Sequence, residues 1–109
     1  MTVFIRESDA AQVVDVEGDV DLGTSPNLRR TLFDLLGKKP KLALNLRGLR
    51  YIDSSGIATL IEVLKSAQRL QMEFVLFGLS PAVQDAFRLT HVNRVFRIVE
   101  TEEQALTPA

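Results

Sequence analysis

The chain has 109 residues, a net charge of −1, and 46% hydrophobic and 25% charged residues, which favours one folded domain over residues 1–109. It contains no cysteine and one histidine, which excludes disulfides and thiolate metal sites, so no cofactor or metal is expected. The near-neutral charge argues against direct nucleic-acid binding. With no long apolar run and no signal-peptide pattern, the sequence predicts a cytoplasmic protein without membrane insertion.

The first part of the chain predicts two antiparallel strands, over residues 3–6 and 12–17, joined by a polar turn. Gly18 is predicted to end the second strand. Residues 19–23 then form a loop that carries two carboxylates, Asp19 and Asp21.

The middle of the chain alternates helices and strands. A helix is predicted from Ser25, as its N-cap, to the left-handed position at Gly37, because leucines recur at helical spacing between them. Alternating leucines predict a strand over residues 41–46, and the longest amphipathic stretch predicts a helix from residue 54 to about 70.

The last part predicts a strand over residues 74–79, a helix capped by Ser80, a strand over residues 95–99 and a short helix capped at Thr101. The order β-β-α-β-α-β-α-β-α predicts an α/β fold, a mixed sheet of four to five strands with about four helices packed on it.

The segment over residues 50–57 is the most informative for function, because it lies between a parallel strand and the start of the longest helix. Open α/β sheets place ligand sites at this edge. The hydroxyls of Ser54 and Ser55 are equally consistent with helix capping and with phosphorylation. A phosphoryl group there would add about −1.5 to −2 charges beside Asp53, with Asp21 close by if its strand is a neighbour.

Residues 51–60 resemble the phosphorylation segment of the STAS domain family, in particular of bacterial anti-sigma factor antagonists. The resemblance continues in the acidic loop of residues 17–22, in residues 44–46 and in residues 80–83, in the order that the family has them. It therefore spans nearly the whole chain and implies the STAS fold.

The resemblance also implies roles for individual residues. Ser55 corresponds to the phosphorylated residue and Ser54 to its usually unmodified neighbour. Asp53 and Asp21 correspond to the carboxylates near the site, which either hold the hydroxyl or help to bind the partner. Gly56, next to the phosphosite, would let a partner approach closely.

The implied function is a switch and not an enzymatic activity. The unphosphorylated protein, a monomer when free, would bind an anti-sigma factor that is also a GHKL-type serine kinase, and so release a sigma factor. Phosphorylation of Ser55 would dissociate the complex, and a separate serine phosphatase would reset it.

Three alternatives remain at this point. One is a STAS-type binding subunit of a lipid-transport ABC system or of a stress-signalling assembly, and another is a structural module that never meets phosphate. A hydrolase built from Ser55, His91 and Asp53 is disfavoured because the chain lacks a Gly-x-Ser-x-Gly elbow.

The first turn of the long helix also predicts a partner surface. Only one of Ile57 and Ala58 can point fully into the core, and the other is expected to join Gly56 and Leu22 in an apolar patch. This hypothesis predicts that Gly56→Arg abolishes partner binding and leaves the fold intact.

Overall fold

The computed structural model describes residues 1–108, which form six strands and four helices. The predicted 1–109 domain thus extends one residue beyond the described part. The strands are β1 (Thr2–Glu7), β2 (Ala11–Val20), β3 (Lys41–Asn45), β4 (Leu49–Ile52), β5 (Glu73–Phe77) and β6 (Arg97–Val99). The helices are α1 (Ser25–Leu35), α2 (Ser54–Arg69), α3 (Pro81–Leu89) and α4 (Glu102–Leu106). Within residues 1–108, no helix is both long enough and apolar enough to cross a membrane.

The main sheet has the strand order β1-β2-β3-β5-β6, and β4 pairs with β2 outside this path. β1 and β2 are antiparallel. The pairs β2–β3, β3–β5 and β5–β6 are parallel, as expected for strands joined through helices. The predicted mixed sheet, with five strands on its main path and four helices in the described chain, is therefore confirmed.

The predicted end of β2 at Gly18 is wrong, because the strand continues to Val20. Gly18 has a φ of +91°, and the register with β4 shifts between Gly18 and Asp19. A glycine with positive φ at such a shift is typical of a β-bulge. The bulge redirects β2 from β3 toward β4, and it carries the acidic loop to the start of α2.

The predicted loop before α2 contains strand β4, which is the main addition to the predicted order. The first and last residues of β4, Leu49 and Ile52, are buried, whereas Arg50 and Tyr51 between them are exposed. This pattern hides the period of two on which strand prediction depends. β4 leads directly into Asp53, so it fixes the position of the start of α2.

The two faces of the sheet are covered unequally. Helices α1, α2 and α3 pack on one face and bury a large core that includes Leu28, Leu32, Leu44 and Leu60. The opposite face has a smaller cluster, covered in the described chain by α4 through Ala105; its strand residues are Val13, Ala43, Val75 and Phe77.

The ends of the helices match the predictions in part. Ser80 caps α3 by accepting from the Val83 N–H at 3.3 Å, and Thr101 and Gln104 form the capping box of α4. The predicted N-cap of α1 is wrong: Thr24 occupies that position, and Ser25 is the first helical residue and buried.

Candidate functional site

The site is built at the start of α2, where Asp53 is the N-cap. One oxygen, Asp53 Oδ1, accepts from the backbone N–H groups of Ser55 at 2.9 Å and Gly56 at 3.1 Å. The same oxygen accepts from the Ser55 hydroxyl at 2.5 Å. A short hydrogen bond to an ionised acceptor is strong, so the Ser55 hydroxyl has a defined orientation.

The charge state of Asp53 follows from these donors. The hydroxyl of Ser55 is the largest cause that lowers the pKa of the carboxyl. Desolvation, the second-largest cause, raises this pKa, and the backbone N–H groups of Gly56, Ser55 and Leu22 lower it, so that the net shift is downward. Asp53 is therefore ionised at neutral pH and acts only as an acceptor, which means that the Ser55 hydroxyl is the donor.

The two serines of the motif differ in their surroundings. Ser55 is half-buried and bound to Asp53, whereas Ser54 is exposed and its hydroxyl makes no hydrogen bond within residues 1–108. Because Asp53 is the cap, the alternative interpretation of the serines as helix caps is wrong. Ser55 is the hydroxyl that the fold holds in place.

The acidic loop lies beside this helix start, as the sequence suggested. The Asp53 N–H donates to the carbonyl of Val20, the last residue of β2, at 3.1 Å. The carboxylate of Asp21 is turned toward its own loop and accepts from the N–H groups of Gly23 at 2.9 Å and Thr24 at 3.1 Å. Asp21 therefore orders the loop that leads into α1, and its carboxylate makes no hydrogen bond with Ser55 or Asp53 in the described chain.

Sequence reasoning missed one residue of this site, Ser25. It is 5% exposed, and its hydroxyl lies 3.4 Å from Ser55 Oγ. A signal was present, because Thr24 and Ser25 both precede Pro26 and a helix has one N-cap. The second hydroxyl was therefore free for another contact.

Comparison with known proteins settles the family. The family model of the STAS domain matches residues 3–105. The chain belongs to the STAS domain family.

Two curated relatives of this STAS domain are named anti-sigma-B factor antagonists. The protein of Listeria monocytogenes is 29% identical over 104 residues, which cover 94% of this chain and 91% of the relative. The protein of Staphylococcus aureus is 25% identical over 104 residues, which cover 94% of this chain and 96% of the relative. Both are similar to the chain over almost their whole length.

Solved structures confirm the STAS fold. An anti-sigma factor antagonist from Mycobacterium paratuberculosis superposes with a TM-score of 0.87 at 24% identity, covering 96% of this chain and 90% of that one. The Bacillus cell fate determinant SpoIIAA in its phosphorylated form gives a TM-score of 0.73 at 18% identity, with 96% of both chains covered. At these identities the likeness concerns the fold.

The predicted role of Gly56 as an opening for a partner is wrong. Gly56 is buried and faces the sheet, and a Cβ at this position would lie 2.7 Å from both Ile52 Cγ1 and Val20 Cγ1. The glycine is therefore required for α2 to pack on β2 and β4. Gly56→Arg would disrupt the STAS fold, so that variant cannot separate partner binding from folding.

The predicted apolar patch is also composed of different residues in the structure. Ile57 is 4% exposed and belongs to the core, so it is not a surface contact. Ala58 is the exposed member of the pair, and Leu22 is 77% exposed on the acidic loop. The apolar surface near Ser55 thus contains Leu22 and Ala58, without Gly56 or Ile57.

The hydrolase alternative gains no support from the STAS structure. His91 lies in the turn after α3, is exposed and has a φ of 60°. Within residues 1–108 it forms no hydrogen bond with Ser55, whose hydroxyl is instead bound by Asp53 and Ser25.

Proposed function

We propose that this STAS domain is an anti-sigma factor antagonist that is switched off by phosphorylation of Ser55. The observation that carries the proposal is the 2.5 Å hydrogen bond from the Ser55 hydroxyl to Asp53 at a half-buried helix start. The names of the Listeria and Staphylococcus relatives support the same function. Ser54 has no such partner within residues 1–108 and is the less favoured acceptor of phosphate.

The phosphorylation step uses groups that the fold already orders. Ser55 Oγ attacks the γ-phosphorus of ATP held by the kinase, and the bond from that phosphorus to the ADP oxygen breaks. The hydroxyl proton passes to the Asp53 carboxylate, to which it is already directed, and then to water. Asp53 thus holds the hydroxyl for transfer, and Asp21 supports the site by ordering the adjacent loop.

The phosphate acts on partner binding through charge. It adds about −1.5 to −2 charges at pH 7. The N–H groups of Ser55 and Gly56 that open α2 already donate to Asp53, so the phosphate meets a carboxylate in place of free donors. Repulsion and desolvation at a surface that also contains Leu22 and Ala58 then weaken a partner interface by several kcal/mol at most.

The partner in this scheme is an anti-sigma factor with GHKL-type serine kinase activity. The unphosphorylated domain, monomeric when free, binds it in the cytoplasm and releases the sigma factor. Phosphorylation of Ser55 ends the binding, and a serine phosphatase restores it. The domain itself catalyses no reaction in this cycle.

Intact-protein mass spectrometry tests the proposal after incubation with ATP and each GHKL-type kinase of the source organism. We expect the wild type to gain one phosphate, about 80 Da, and Ser55→Ala to gain none. Ser54→Ala is the matched control, since it removes the neighbouring hydroxyl and should keep the gain.

A second measurement links modification to binding. Isothermal titration of the same kinase should show binding to the unphosphorylated protein and at least tenfold weaker binding to the phosphorylated one. If no kinase modifies the wild type, the switch is refuted and a constitutive binding subunit, such as that of a transport system, takes its place.

A further inference from the structure

Ser25 stands out because its hydroxyl is buried beside the site and belongs to another element. The residue opens α1, is 5% exposed, and within residues 1–108 its hydroxyl has one hydrogen-bond partner, Ser55 Oγ at 3.4 Å. A buried hydroxyl without a partner is costly. The Ser25 hydroxyl therefore relies on Ser55 Oγ as its hydrogen-bond partner. The Ser55 hydroxyl is contacted by Asp53 on one side and by Ser25 on the other.

The direction of each hydrogen bond follows from chemistry. Asp53 is ionised and can only accept, so the proton of the Ser55 hydroxyl points to Asp53 Oδ1 at 2.5 Å. Toward Ser25, the oxygen of Ser55 is then the acceptor and the Ser25 hydroxyl is the donor. Ser25 and Asp53 thus contact the Ser55 hydroxyl from two sides and favour one rotamer, and within residues 1–108 one lone pair of Oγ has no partner.

We infer that Ser25 is a positioning residue for phosphoryl transfer to Ser55, an inference that rests on the proposed function. The free lone pair is the one that forms the bond to the γ-phosphorus, while the proton leaves toward Asp53 and ADP departs with the electrons of the broken bond. Without Ser25 the Ser55 hydroxyl has a single restraint, and fewer encounters begin in the reactive orientation.

Burial separates this role from partner binding. Since Ser25 is 5% exposed, a kinase that docks on the surface makes at most marginal contact with it. Loss of its hydroxyl should therefore lower the kcat of phosphorylation and leave the KM for the domain unchanged. A residue that contributed to docking would raise KM instead.

The test measures kcat and KM with the GHKL-type kinase that phosphorylates the wild-type protein. We expect Ser25→Ala to lower kcat about three- to tenfold, as for the loss of one orienting hydrogen bond, with KM within twofold. Ser25→Cys, whose side chain has the same shape and is only moderately larger but is a weak donor, should be nearly as slow. The matched control is Thr59→Val, which removes a buried hydroxyl of α2 that does not bond to Ser55 and should keep both constants.

The outcomes distinguish the inference from the proposed function. If the wild type is phosphorylated and both Ser25 variants retain its kcat, the positioning role is overturned while the switch stands. A raised KM with unchanged kcat also overturns it, because Ser25 would then act in docking. If the wild type is not phosphorylated at all, the proposed function fails and the inference fails with it. Should Ser25→Ala unfold, Ser25→Cys decides alone.

Discussion

At the scale of single residues, one carboxylate oxygen of Asp53 has a structural task and, in the proposed function, a second task in orienting Ser55. It caps α2 through two backbone N–H groups and holds the Ser55 hydroxyl. The capping groups belong to the backbone, and only the hydroxyl can be removed by mutation. The two tasks can therefore be separated experimentally.

Ser55→Ala should raise the pKa of Asp53 toward its ordinary value of 3.8, because the hydroxyl is the largest cause of the lowered pKa. Titration of the Asp53 carboxyl carbon by NMR checks this, with Ser54→Ala as the control. An unchanged pKa in Ser55→Ala would show that the hydroxyl does not donate to the carboxylate.

Gly56→Ala should lower the free energy of unfolding by about 2 kcal/mol. The added methyl group meets Val20 and Ile52 at 2.7 Å, which costs about 3 kcal/mol, while better helix propensity returns about 1 kcal/mol. Urea denaturation followed by circular dichroism measures the difference.

Gly23→Ala is the control for this substitution, because a Cβ at Gly23 has an ordinary contact, 3.4 Å from Asp21 Oδ1. Its stability should stay within about 0.5 kcal/mol of the wild type. Equal stability of Gly56→Ala and the wild type would mean that α2 can move away from β2 and β4 at little cost.

Residue types identified the motif but not the direction in which each side chain points. Asp53 and Ser55 were predicted from their place before the longest helix and from the resemblance of residues 51–60 to the STAS family. The burial of Gly56 and Ile57 depends on how α2 is rotated over the sheet, and the contact of Ser25 depends on the approach of α1 to α2. Such long-range geometry leaves little trace in a local pattern.

At the scale of elements, α4 is held to the sheet at both ends by charged groups. Arg6 on β1 bonds to Glu102 at 2.7 Å. At the other end Lys41 Nζ, largely buried, donates to the carbonyls of Ala105 at 2.8 Å and Thr107 at 3.2 Å. A helix of five residues is too short to be stable alone, so these contacts keep it in place.

Lys41→Met should lower the free energy of unfolding by about 2 kcal/mol, since the apolar stem is kept but the carbonyls at the end of α4 lose their donor. Amide hydrogen exchange should accelerate in α4 more than in α2. Lys38→Met, at an exposed lysine, is the control. Uniform acceleration across all helices would show that α4 does not open separately.

Elements with a clear periodicity or a clear cap were predicted well, and the errors lie in β4 and at the end of β2. α2 was predicted to within a residue or so because its apolar stripe is long. β4 was missed because two exposed residues separate its buried ends, and β2 was ended too early because glycine also marks turns. Both errors lie beside the site, where the bulge and the extra strand position Asp53.

For the whole molecule, two carboxylates connect stability to pH. The hydrogen bond from Arg6 is the largest cause that lowers the pKa of Asp15, and the pKa of Asp53 is lowered as well. A carboxyl whose pKa is lower in the folded than in the unfolded state stabilises the fold at every pH above its unfolded-state pKa. This contribution is lost as the pH falls through the folded-state pKa. The protein is therefore expected to lose stability in acid.

The free energy of unfolding should be nearly constant from pH 7 to about pH 5 and decrease as pH falls below the ordinary value of 3.8. Asp15→Asn should be about 1 kcal/mol less stable at pH 7 and show a smaller decrease in acid. Urea denaturation at each pH measures both effects. Asp34→Asn, at an exposed carboxylate, should show the same pH dependence of stability as the wild type. If Asp15→Asn lost as much stability in acid as the wild type does, Asp15 would not be a source of the pH dependence.

The small cluster under α4 has a consequence for how the protein is made. Val13, Ala43, Val75 and Phe77 are synthesised long before Ala105, which covers them. Because a ribosome produces the chain from its amino end, this side of the sheet stays uncovered until residues 102–106 have emerged from the exit tunnel. Until α4 has emerged and docked, the chain presents an apolar sheet surface on this side, so we expect a holdase chaperone to bind there during that interval.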